Sequence, residues 1–107
     1  MITVDLDGTT LSIQGHAGAA PYGQDLVCAA VSALAYALAA RLTELEQQDA
    51  LKEPPVIRLL SGNALISAVP KEAYIRELAE AFRVVAGGLH LLAEYYPNQL
   101  QVLGQLT

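Results

Sequence analysis

The chain contains one cysteine, Cys28, and one of its two histidines, His16, stands twelve positions before it. A thiol and an imidazole that reach each other make a nucleophile and its base. At about 2.6–3.2 Å the base takes the thiol proton, and the thiolate attacks a carbonyl carbon. Both residues fall in one stretch, Gly15 to Ser32, which reads GHAGAAPYGQDLVCAAVS.

Each residue of this stretch has a bland reading beside the chemical one. Asp25 is a good helix N-cap, and a cap there puts Cys28 in the first helical turn. Free N–H groups and the positive end of the helix dipole stabilise a thiolate at that position. The same amides can bind an oxyanion during acyl transfer. The bland reading of Cys28 is a small core hydrophobe in an apolar helix. His16 follows a glycine at the end of a predicted strand, which places it at a strand end. Its bland reading is a surface loop histidine. Ser32 lies one turn beyond Cys28 on the same face, facing either the sulfur and substrate or its own helix backbone. Asp25 either caps the helix or orients His16 as a third catalytic member. Between the two candidates run Ala17, Gly18, Ala19, Ala20, Pro21, Tyr22, Gly23 and Gln24. Such a segment is a plain connection or a substrate-gating lid that closes before His16 and Cys28 align.

The elements that must position these residues follow from periodicity. Met1 to Asp7 and Thr10 to Gln14 alternate apolar and polar residues around Asp7-Gly8, which predicts a hairpin. A helix is expected from near Asp25 to about Gln48. Its first half, Leu26 to Ala40, is apolar nearly all round, so cover on several sides is expected, by a sheet, a second helix or a partner subunit. After a linker ending in Pro54-Pro55, Val56 to Leu60 and Leu65 to Val69 read as a second hairpin around Ser61-Gly62-Asn63. A second helix spans roughly Lys71 to Tyr95, with Gly87-Gly88 as a bend or a close contact. Leu100 to Leu103 forms a last short strand. The order ββαββαβ gives a single α+β domain over residues 1–107, with two long helices packed on a mainly antiparallel sheet.

The totals bound the function. The chain has 107 residues, 53% hydrophobic and 16% charged, which describes a globular domain. No run has the length and flanks of a membrane span, and without a basic stretch leading into an apolar one near Met1 no secretory signal is expected. One cysteine and two histidines are too few for a structural zinc site, so no metal or cofactor is expected, and a reducing cytoplasm is the natural compartment. A net charge of -5 argues against a nucleic-acid partner. Val4 to Leu11, VDLDGTTL, resembles the first motif of haloacid-dehalogenase-type phosphatases. That reading fails because a strand follows where a helix belongs, and no aspartate after Asp49 is present to hold magnesium.

GHAG followed by YGQDLVCAAVSAL closely resembles the ribosomal-processing cysteine protease family (Prp, the YsxB-like proteins). Gly15, His16, Gly23, Asp25, Cys28 and Ser32 fall on the family's marked positions. A late segment, Gly88, Leu89 and Ala93 to Pro97, looks like the end of its C-terminal helix. The resemblance implies His16 as base and Cys28 as nucleophile; Gly15, Asp25 and Ser32 are expected to support them. It implies a homodimer that removes an N-terminal extension from a precursor of the twenty-seventh large-subunit ribosomal protein. Ala19 stands where relatives commonly carry an aromatic residue. Two alternatives remain open at this point: a non-catalytic dimeric domain that binds a protein, and the same protease acting on a phage capsid or scaffold protein.

Overall fold

The computed structural model describes residues 1–16 and 25–106. Strand β1 (Ile2–Asp7) alternates as expected, burying Ile2, Val4 and Leu6. It pairs antiparallel with β2 (Thr10–Gln14), placing Val4 opposite Ile13 and Leu6 opposite Leu11. Because side chains alternate with period two, this register puts all five apolar residues on one face. Helix α1 covers Leu26–Gln47. It stops where Asp49 takes a left-handed conformation, φ 60, a common way to end a helix.

The second hairpin is tighter than its sequence suggests. β3 is Val56–Leu60 and β4 is Asn63–Ser67, two residues earlier than the expected Leu65 to Val69. Gly62 adopts φ +71, so the chain reverses within Ser61-Gly62 and Asn63 already pairs with Leu60. A short 3₁₀ turn (Glu72–Tyr74) precedes α2 (Ile75–Tyr95), so the helix proper begins later than Lys71. β5 (Leu100–Gln105) outlasts the expected Leu103 because β1 offers it a parallel partner down to Asp7.

The five strands form one sheet in the order β3-β4-β2-β1-β5, antiparallel except for β1 and β5. The apolar face, which carries Ile2, Val4, Leu11, Ile13, Ile66 and Leu100, joins residues of both helices in one core. From α1 come Val27, Val31, Leu38, Leu42 and Leu45, and from α2 come Leu78, Phe82, Val85 and Leu89. Full burial of side chains this size stabilises the fold by roughly 1.5–3 kcal/mol each. The opposite face is polar over β1 and β2, with Thr10 Oγ1 2.8 Å from Ser67 Oγ and Gln101 Nε2 donating to Thr3 Oγ1 at 3.1 Å.

Two departures from expectation shape the site. α1 is long and apolar enough to cross a bilayer, yet one side of it is built into the core. Its other side is left open by the described residues: Leu26 is 79% exposed and Tyr36 59%. Second, the helices do not reach over the whole sheet. Ile57 and Leu59 share the helix-bearing face by register, opposite Ile66 and Ala64, but stay 37% and 38% exposed. An uncovered strip of sheet therefore runs beside the first half of α1.

Candidate active site

That strip is one wall of a cleft of about 550 Å³ between α1 and the tip of the β3–β4 hairpin. His16, Cys28, Asp25, Ser32 and Gly15 all line it. Apolar neighbours Ile2, Ile13, Val31, Ala35, Leu59 and Leu60 complete much of its surface.

His16 is placed by backbone clamps on both sides. The Gly15 N–H donates to the Gly62 carbonyl at 2.9 Å, and Met1 N donates to the His16 carbonyl at 2.7 Å. Gly15 takes φ +96, and a Cβ there would collide with the Met1 carbonyl oxygen. Both facts require glycine, which explains why this residue precedes the histidine. The chain leaves β2 in a direction open to glycine alone, and the imidazole emerges at the cleft.

Cys28 is held from the helix side. Asp25 has extended backbone angles (φ -83, ψ 107), and its Oδ1 accepts from the amides of Val27 and Cys28, each at 3.0 Å. Asp25 is thus the N-cap, and Cys28 lies in the first turn, half-buried against the core. One expectation changes here. The amides of Val27 and Cys28, offered above to an oxyanion, are engaged by Asp25. The carboxylate also offsets part of the positive field at the helix start.

Ser32 lies one turn along from Cys28, and Tyr36 follows one turn later. All three line the cleft. The i, i+4, i+8 spacing was the signal that pointed to Tyr36, and sequence reasoning passed over it. It also passed over Ser61, Gly62 and Asn63, read only as a turn; they line the cleft because β4 lies beside β2 in the sheet. The gating segment Ala17, Gly18, Ala19, Ala20, Pro21, Tyr22, Gly23 and Gln24 lies outside the described residues. The residues flanking it, His16 and Asp25, both line the cleft.

An imidazole, a half-buried thiol and a hydroxyl on the walls of one open, largely apolar cleft suit nucleophilic attack on an extended peptide. The model of the cysteine protease Prp family matches residues 1–101. No curated protein sequence matches the chain. Among solved structures, it is similar to an essential ribosomal processing protease, Prp, from S. aureus, in complex with a covalently linked product peptide. Identity is 25%, TM-score 0.76, with 98% of this chain and 100% of that one covered. The same S. aureus protease with a substrate peptide aligns at 24% identity and TM-score 0.70, covering 98% and 100%. The SMU.848 protein of Streptococcus mutans shares the fold at 22% identity and TM-score 0.69, covering 100% and 96%.

Proposed function

We infer the activity from one premise: the chain belongs to the Prp family of cysteine proteases. Cys28 is the nucleophile and His16 the general base, and what supports this is that both line a single cleft. His16 takes the Cys28 proton, and Sγ bonds to the peptide carbonyl carbon. The tetrahedral adduct collapses as the C–N bond breaks, and His16 returns the proton to the leaving amine. Water, deprotonated by His16, then attacks the thioester, releasing the acid and restoring the thiol. Asp25 holds the helix start that carries Cys28, and Ser32 lines the cleft one turn beyond Cys28.

The substrate is an N-terminal extension on a ribosomal protein precursor, namely the twenty-seventh protein of the large subunit. The S. aureus relative is a ribosomal processing protease, and ribosomal proteins are basic, which suits a net charge of -5. The reaction belongs in the cytoplasm, where such precursors are made. The protein works as a homodimer, and the exposed apolar side of α1 around Leu26 and Tyr36 supports an apolar contact between copies.

Incubation with the intact precursor, read by intact mass, tests the assignment. Loss of a short N-terminal fragment is expected. A precursor left whole, while the thiol is reduced and the protein folded, would overturn the substrate.

A further inference from the structure

Gly62 touches the site in two ways that its role as a turn residue does not require. Its carbonyl accepts the Gly15 N–H at 2.9 Å, which anchors the backbone next to His16. Its Cα also lies against the His16 ring. A Cβ built on Gly62 would stand 2.7 Å from His16 Nε2, 3.2 Å from Cε1 and 3.4 Å from Cδ2. Real Cβ atoms do not approach that closely, so the ring occupies the space that any side chain at position 62 would claim.

We propose that Gly62 is a positioning residue for the His16 imidazole. The tip of the β3–β4 hairpin is the seat of the base: its carbonyl fixes the chain and its bare Cα fixes the ring. The argument rests on His16 acting as the base, and it adds that the seat comes from a strand pair distant in sequence. Only the sheet order, with β4 beside β2, brings that tip to His16.

Two demands on Gly62 can be separated. The left-handed φ of +71 excludes most residues but is tolerated by asparagine. The seat excludes every side chain. Gly62→Asn therefore meets the first demand and violates the second. Gly8→Asn serves as control, because Gly8 has φ 59 at the β1–β2 turn and does not line the cleft.

The test measures peptide cleavage and iodoacetamide alkylation of Cys28 in wild type, Gly8→Asn, Gly62→Asn, His16→Ala and the double variant His16→Ala/Gly62→Asn. Gly62→Asn is expected to keep its KM while kcat falls on the order of a hundredfold, the effect of misplacing a catalytic group by about 1 Å. Its alkylation rate should fall to that of His16→Ala, and Gly62→Asn should add nothing once the ring is gone. Gly8→Asn should match wild type. A Gly62→Asn protein with wild-type kcat, or one that lowers alkylation equally with and without His16, would overturn the seat. Should Gly62→Asn fail to fold, the double variant should melt at a higher temperature than the single, because removal of the ring vacates the contested space. A double variant that folds no better also overturns it. Alkylation is read without substrate, so a wild type that cleaves no peptide rejects the protease reading separately.

Discussion

Helix α2 buries Leu78, Phe82, Val85, Ala86 and Leu89 along one stripe and turns Arg76, Glu77, Glu80, Arg83 and His90 outward. Helix α1 buries a similar stripe, from Val27 through Leu45, but its remaining surface near the N-terminus is also apolar or small: Leu26, Ala29, Ala33, Tyr36 and Ala37. Both helices hold the same core. Both leave apolar residues exposed, Leu26 and Tyr36 on α1 and Ile75, Val84, Leu91 and Tyr95 on α2, but only α1 lines the cleft. A helix that buries one stripe and takes no part in the cleft is scaffold. One that also lines the cleft has a second surface to serve, here along Cys28, Ser32 and Tyr36.

Substitutions can break this contrast. The largest effect is expected from Cys28→Ala on α1: peptide cleavage is lost altogether while thermal unfolding shifts little, since a small half-buried side chain is exchanged for a smaller one. Residual turnover at wild-type rate would remove α1 from the chemistry. On α2, Phe82→Ala should destabilise by about 3–5 kcal/mol, because Phe82 is 1% exposed and leaves a cavity. Activity per folded molecule should stay unchanged, as read by urea unfolding beside active-site titration. A drop in kcat there would show that α2 is more than scaffold.

Smaller effects sharpen the division within α1. Asp25→Ala removes an acceptor shared by two amides and should destabilise by about 1 kcal/mol, whereas Asp25→Asn should keep nearly all of the stability. If Asp25→Asn preserves stability but lowers kcat, the carboxylate acts on His16 as well as on the helix. Leu26→Ser should change monomer stability by no more than about 0.5 kcal/mol, the usual range for exposed positions. Light scattering then tells whether the exposed side of α1 meets another copy: a wild-type dimer that becomes monomeric says that it does, and an unchanged state points to a different surface.

Much of the scaffold was legible because it follows from local rules. Alternation located β1 and β2, and a capping residue before an apolar run located Asp25 and the start of α1. The seat of His16 was not legible. Gly15 and Gly62 are far apart in the chain, and the bond between them depends on β4 choosing β2 as its neighbour, which no local pattern encodes. The cover of α1 was legible only in part for a related reason: apolar surface tells that a helix is in demand on several sides, but not which of them the chain itself covers. The amides of Val27 and Cys28 show a local rule counted twice, since a cap that satisfies them also removes them from use elsewhere.

Strand β1 sits between β2 and β5, so the first strand of the chain completes its ladder only with the last one, Ile2 opposite Leu100. Local pairings close quickly and distant ones late. During synthesis Cys28 and its helix precede Gly62, which holds Gly15, and β5 follows later still. A nascent chain therefore carries its thiol before the clamp beside His16 can close. The sheet order thus sets a sequence in time, in which the thiol exists first and the fixed imidazole comes after the second hairpin has folded back onto the first.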